Sequence, residues 1–235
     1  MSQPNDLSSY YADHYDCVVY SGAGGAVQRQ FHRALEHSWP TGTFENVLEL
    51  GATNAEHLNF VRHQFQRYTM LDINDSSSAR DAARAASKPD RSVEFVVGDA
   101  QTLEAIPDSS VDRLISMCLL HHLPDPDAAL ARWKAVVKPG GVLSIFLPCD
   151  PGVTWRSGRL LTTFRAAKKL GMTDTQIRYL NARDHRNHFA SLAAMIDGVF
   201  ANDQVAVKRF PLSFLPSWNV NFYCIYHITR GTDRT

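Results

Sequence analysis

Apolar and polar positions change rhythm several times along the chain. Between residues 45 and 148, short apolar runs alternate with stretches of helical spacing. Val47–Leu50, Tyr68–Asp72, Val93–Val97, Arg113–Cys118 and Val142–Leu147 read as strands. Ala55–Phe65, an alanine-rich Ser78–Ser87 capped by serine, and Asp127–Val137 read as the helices between them. Asp127 is the expected N-cap of the last, and Pro139-Gly-Gly141 its stop. Strands alternating with helices of about ten residues predict a parallel sheet with right-handed crossovers.

The rhythm differs on either side of this block. Residues 1–9 are polar, Tyr10–Tyr20 is rich in aromatics, and Gly22-Ala-Gly-Gly25 breaks the chain. No strand precedes that glycine run and no Lys-Ser/Thr follows it, so a hinge is expected there rather than a phosphate cradle. Gln28–His37 has helical spacing. Residues 149–187 hold no clean strand, and His188–Phe200 reads as a helix. Val205–Phe210 and Asn221–Thr229 follow each other with no helix between, which predicts an antiparallel pair at the sheet edge. The expectation is a single Rossmann-like α/β domain with a seven-stranded, mostly parallel sheet. Its parts are an N-terminal lid over 1–44, a cofactor-binding core over 45–148, a substrate-lid insertion over 149–200 and a strand pair over 201–235.

Composition narrows the classes. The hydrophobic share is 44% of 235 residues, enough for a sizeable core, and the formal charge is zero. That balance gives no footprint of a nucleic-acid binder. Cys17, Cys118, Cys149 and Cys224 lack Cys-x-x-Cys spacing and read as reduced thiols. With no signal-peptide pattern and no apolar run of about 18 residues, a cytoplasmic protein without a membrane span is expected, either monomer or homodimer.

The chemistry sits at the strand ends. Val47-Leu-Glu-Leu-Gly51 is a strand that ends on an acid and turns at glycine, where the backbone can approach a ligand closely. In open α/β sheets that turn is where nucleotide-like cofactors bind. Glu49 offers a carboxylate to a cationic group or a bridging water. Asp72, about 20 residues on, sits where an acid takes both ribose hydroxyls. After the third strand, Asp99 can accept from an exocyclic adenine amine while Ala100 offers its amide, with Gln101 next to them. Three such signals in order at successive strand ends point to one ribose-bearing cofactor.

Leu-Glu-Leu-Gly (48–51), Leu-Asp-Ile (71–73), Gly-Asp-Ala (98–100), His-His-Leu-Pro-Asp (121–125) and Lys-Pro-Gly-Gly (138–141) resemble the ordered motifs of class I S-adenosylmethionine-dependent methyltransferases, nearest to the small-molecule branch. The resemblance implies S-adenosyl-L-methionine as cofactor. Glu49 and Gly51 would lie near its methionine part, Asp72 on the ribose, Ile73 against the adenine, and Asp99 and Ala100 at the adenine edge. Ser116-Met117-Cys118 would pass beneath the sulfonium. Ala52, Asn54, Gln101 and His122 complete the candidate set, with Tyr11 and Tyr15 from an N-terminal segment folding over the cofactor. Thr53 and Ala55 stand where the family usually has glycine. Positive φ there costs about 1–2 kcal/mol per residue, so a re-routed turn with polar contacts from Thr53 or Asn54 is expected.

For catalysis, His121 and His185 are the candidate bases, with Asp184 a candidate to orient a histidine. A structural role, packing under the sheet and bonding the following loop, stands beside the catalytic one, most of all for His122. Arg156, Arg159, Arg165, Lys168, Lys169, Arg178, Arg183 and Arg186 face only Asp174 and Asp184 across residues 149–190. Such a lid favours an anionic small-molecule acceptor, set against the reading of a solvated helix face. Trp155, Phe164 and Trp218 are candidate apolar walls. No metal is expected, because no carboxylate cluster suggests Mg²⁺. O-methylation is the leading expectation. C- or N-methylation, and a non-catalytic binding protein of the same fold, stand behind it.

Overall fold

The computed structural model describes residues 22–39 and 41–232. Tyr11, Tyr15, the rest of the aromatic N-terminal segment and Cys17 lie outside them. Fourteen elements follow one another: α1 (Gly22–Glu36), β1 (Thr43–Leu50), β2 (Gln64–Asp72), α2 (Ser77–Ala86), β3 (Ser92–Val97), β4 (Val111–Met117), α3 (Pro126–Val136), β5 (Val137–Pro148), α4 (Val153–Leu161), α5 (Thr163–Lys169), α6 (Asp174–Asp184), α7 (Phe189–Val199), β6 (Gln204–Phe210) and β7 (Tyr223–Thr229).

The strands form one seven-stranded sheet in the order β3-β2-β1-β4-β5-β7-β6. β1 to β5 are parallel, and β7 runs antiparallel to both β5 and β6. The expected antiparallel pair at the edge is present, with β7 inserted inside β6. Strand order reverses between β1 and β4, and there an open sheet forms its ligand crevice. α1 and α2 cover one face through Phe31, Leu35, Ala79 and Ala83, against Tyr68, Met70 and Phe146. α3 and α7 cover the other through Leu130, Trp133, Leu192 and Ile196. α5 and α6 hold a small core of their own around Ala167, Met172, Ile177 and Leu180.

Several local expectations are corrected. The helix over Ala55–Phe65 is a single 3-10 turn, Glu56–Phe60, because Ala55 is left-handed at φ 61° and β2 already begins at Gln64. The N-cap of α3 is Asp125, whose side chain accepts from Ala128 N while Pro126 takes the first helical position. Pro139-Gly-Gly141 is not a helix stop. The helix ends before Val137, and the two glycines lie within β5, where the register against β4 shifts. Gly22–Gly25 is no hinge but the first turn of α1. Glycine is a poor helix former, so α1 depends on its buried side chains.

Those include a buried charge cluster. Glu36, at the end of α1, accepts from Arg113 Nη2 on β4 at 2.7 Å and from Arg113 Nη1 at 3.1 Å. His57 Nε2 and His63 Nδ1 lie 3.1 and 3.2 Å from the same carboxylate, and His32 Nδ1 is 2.9 Å from His57 Nδ1. Both Glu36 and Arg113 are fully buried. Burial pushes the Glu36 pKa up, but the histidine hydrogen bonds and the Arg113 charge outweigh it and hold the group well below the carboxylate range.

Two buried histidines make the fold acid-sensitive. Burial, aided by His57, lowers the His32 pKa to about 3, and burial lowers that of His227, on β7, to about 4. In the unfolded chain both titrate near 6.5. Below that pH the unfolded chain takes up protons that the native state refuses. Stability is therefore complete above about pH 6.5 and falls on acidification, by up to about 1.4 kcal/mol per pH unit for each histidine. Urea melts between pH 7.5 and 4.5 check this; a flat profile contradicts it.

Candidate active site

The turn after β1 keeps the left-handed geometry without the glycines. Gly51, Thr53 and Ala55 have φ of 72°, 45° and 61°. The expected re-routing does not occur. A Cβ on Gly51 would sit 3.2 Å from Leu119 Cδ1, so that position is closed to larger residues on two counts. What holds the strained turn is Asp72: its Oδ2 accepts from Thr53 N at 3.0 Å, and its Oδ1 from Asn74 N at 2.9 Å. Because Thr53 is exposed, Thr53→Gly removes strain without opening a void, and we expect it to stabilise the protein by about 0.5–1 kcal/mol. Thermal melts of the variant check the sign.

The other cofactor candidates line up beside this turn. Ala52 is buried within it, and Asn54 Oδ1 accepts from Ser76 and Ser78 Oγ at the start of α2. Ile73 is 68% exposed and Val97 48%, an open apolar pair flanked by the carboxylates of Asp72 and Asp99. Asp99 Oδ1 accepts from Gln101 N, Gln101 Oε1 from Asp125 N, and Ala100 O from Trp133 Nε1 at 2.7 Å. An exposed apolar strip with an acid at either end fits an adenosine, whose flat base is apolar and whose ribose and amine donate hydrogen bonds. Glu49 faces inward instead: it is 2% exposed, accepts from Tyr68 OH at 2.8 Å, and has its pKa raised by burial.

A cavity of about 810 Å³ opens on the other side of the crevice. α1 contributes Val27 and Phe31, the end of β4 contributes Cys118, and α4 and α6 contribute Trp155, Arg159 and Asn181. Cys118 is left-handed at φ 52°, and burial pushes its thiol up to about 12. Met117, before it, is half-buried and packs with the α1-side core. Of the basic residues across 149–190, Arg159, Arg183 and Arg186 line the cavity. Lys168 instead pairs with Asp174. Phe164, Trp218 and Trp155 all pack onto cores, and Trp155 is also a wall of the cavity.

Three histidines meet at the cavity floor. The rings of His121 and His122 are 3.9 Å apart, and that of His185 is 4.6 and 5.1 Å from them. His185 Nδ1 lies 2.7 Å from Asp150 Oδ2, and His122 Nδ1 lies 2.7 Å from the Asp184 carbonyl. A carboxylate and a carbonyl accept, so both histidines donate from Nδ1, and in the neutral form each presents a lone pair at Nε2. The expected orienting role of the Asp184 side chain is corrected: its carboxylate pairs with Arg183, and only its carbonyl meets a histidine. Burial, then the neighbouring imidazoles, pushes the His121 pKa well down, and burial lowers that of His122 to about 4. Burial raises the Asp150 pKa, but the His185 hydrogen bond and charge more than reverse it.

Asp150 was missed in the sequence. Its signal is the one that marked Asp72 and Asp99: an acid at the carboxyl end of a parallel strand.

Comparison with known proteins agrees with this layout. Residues 48–145 match the family described as a methyltransferase domain. A trans-aconitate 2-methyltransferase of Deinococcus radiodurans is 33% identical over 130 residues, 55% of this chain and 47% of that protein. The chain spans about half the length of the curated relatives it matches. A chain of the complex between the Haloferax volcanii Trm112 methyltransferase activator and a methyltransferase shares the fold with a TM-score of 0.61 at 18% identity, over 98% of this chain and 100% of that one. The Burkholderia thailandensis 1,6-didemethyltoxoflavin-N1-methyltransferase, with S-adenosylhomocysteine bound, has a TM-score of 0.56 at 15% identity, over 99% and 92%. Over residues 48–145 the chain is thus similar to methyltransferase domains, and it shares the fold of these solved methyltransferase structures. Among the described residues no helix is long and apolar enough to cross a membrane.

Proposed function

We propose that the protein transfers the methyl group of S-adenosylmethionine to an oxygen atom of a small anionic molecule. The observation that carries this reading is the cavity of about 810 Å³ beside Cys118, with Arg159 in its wall and the histidines on its floor. In this reading Asp72 holds the ribose and Asp99 the adenine amine, with Ile73 along the base. Helices α4–α6 form the acceptor lid.

The sulfonium is already an activated donor, so the protein's main task is to hold acceptor, methyl and sulfur in line. An acceptor hydroxyl must also lose its proton. His185 is set for that step: Asp150 fixes its Nδ1 proton and leaves Nε2 as the base. His121 faces the same space and is the second candidate. Arg159 attracts the acceptor's charge through a low-dielectric wall.

The test is labelled methyl transfer to a panel of small acids and their neutral amides or esters. Acids are expected to be preferred. Arg159→Ala should raise KM about 10-fold or more with little change in kcat, and His185→Ala should lower kcat by about 10²–10⁴ on a hydroxyl acceptor. Equal turnover of neutral and anionic acceptors, with Arg159→Ala silent, contradicts the proposal.

A further inference from the structure

We propose that His121, His122 and His185 form a binding site for a divalent transition-metal ion of the zinc type, with an open position facing the acceptor cavity. The ligand-bearing nitrogens of the three side chains lie within 4.8 Å of one another. Imidazole nitrogen suits zinc and its late first-row neighbours, and three histidines with one open position is a known catalytic zinc arrangement.

The surroundings are those of a prepared ligand set. A metal-binding histidine characteristically gives its other N–H to a carboxylate or a backbone carbonyl, which fixes the ring and its tautomer. His185 does so to Asp150 and His122 to the Asp184 carbonyl, both at 2.7 Å. The third, His121, is 4% exposed, and its Nδ1 finds no hydrogen-bond partner among the described residues. A buried polar atom without a partner costs free energy unless something satisfies it. The loop itself is pinned from the lid: Asn187 donates from N to the His121 carbonyl at 3.2 Å and from Nδ2 to the Leu123 carbonyl at 2.8 Å. With Zn–N bonds near 2.1 Å the nitrogens of a tetrahedral site are about 3.4 Å apart. The ligand nitrogens, now within 4.8 Å of one another, therefore draw together by up to about 1.4 Å when an ion binds.

The site deepens the proposed function and rests on it for its catalytic meaning. An ion there would take one oxygen of the acceptor, while Arg159 in the same wall meets another negative group. The favoured acceptor is then a chelating oxyanion carrying a hydroxyl beside a second charged group. The bound ion lowers the pKa of that hydroxyl, so the proton leaves to solvent before the oxygen attacks the methyl carbon and the carbon–sulfur bond breaks. His185 serves as ligand in the metal-loaded protein and as base only in the metal-free one.

The experiment uses the full chain without an affinity tag, stripped with chelator and titrated with Zn²⁺ by calorimetry and with Co²⁺ by visible absorption. One equivalent is expected to bind, and the Co²⁺ spectrum should carry intense tetrahedral bands. His185→Ala and His122→Ala should weaken binding at least 100-fold. Asp150→Asn, which preserves shape, should weaken it 10–100-fold. S-adenosylhomocysteine affinity is measured on the same samples. If it persists while stoichiometric Zn²⁺ binding is absent, or while all three substitutions leave Zn²⁺ binding unchanged, the metal site is refuted and the methyltransferase reading stands. If metal binds as expected and the nucleoside does not, the site stands and its catalytic meaning falls.

Discussion

Glu36→Gln should destabilise the protein by about 3–5 kcal/mol, more than any other single substitution considered. The variant keeps the shape of the side chain and removes the one carboxylate that faces the fully buried Arg113 guanidinium. Breaking a buried pair by removing one partner leaves an uncompensated charge in the interior, which costs about 3–5 kcal/mol. In a domain of this size each kcal/mol shifts the midpoint by about 2–4 °C, so a fall of about 10 °C is expected in a thermal melt. The double variant Glu36→Gln with Arg113→Met should recover much of that loss, because an apolar replacement of both partners is often neutral. A double variant less stable than Glu36→Gln would show that the cluster acts through something other than the ion pair. The cluster also bears on function. It joins α1, a wall of the cavity, to β4, whose end carries Cys118, so its loss should loosen both sides of the crevice.

Asp72→Ala should weaken S-adenosylmethionine and S-adenosylhomocysteine binding by about 100-fold. In the proposed site the carboxylate accepts two ribose hydroxyls, and hydrogen bonds to a charged group are worth about 1.5–3 kcal/mol each. The loss of about 3 kcal/mol that follows corresponds to roughly two decades in Kd. Asp72 also holds Thr53 N and Asn74 N, so the substitution should lower stability by about 1–3 kcal/mol. Asp72→Asn separates the two roles: it keeps one strong acceptor for the turn and loses the charge. An affinity for the nucleoside unchanged in both variants contradicts the ribose assignment.

The sheet was legible because buried parallel strands announce themselves as apolar runs, and each predicted strand lies within or overlaps an observed one. Their outer ends were not. Thr43–Asn46 and Gln66–Arg67 are exposed or half-buried extensions beyond the apolar runs, and Gln64 and Phe65 fell within the expected helix. Ala55–Phe65 failed for a different reason. Its composition suits a helix, but the left-handed Ala55 and the demand that His57 reach Glu36 leave room for one 3-10 turn. Helix propensity is a weak prior that tertiary contacts override. α6 was missed because it has little amphipathic pattern and is stabilised by a capping box, Thr173 with Gln176, and by its small core.

The candidate site was legible where one residue and its strand end suffice: Asp72, Asp99, Gly51 and the His121-His122 pair. It was not legible where two distant segments make the site. His185 was singled out from a dense polar run, but its partner Asp150 lies 35 residues away and no local pattern joins them. The missing glycines at Thr53 and Ala55 suggested an altered turn. The structure keeps the turn, because Asp72 holds Thr53 N and offsets part of the strain from outside it.

In the proposed site the strip formed by Gly51, Asp72, Ile73 and Asp99 holds S-adenosylmethionine despite that strained turn. Isothermal titration of the full chain with S-adenosylhomocysteine tests it most directly. Saturable binding of one nucleoside per chain is expected, with a Kd of about 10 μM or tighter, corresponding to about −7 kcal/mol. No saturable heat at millimolar ligand, from protein that is folded by its thermal melt, would contradict it.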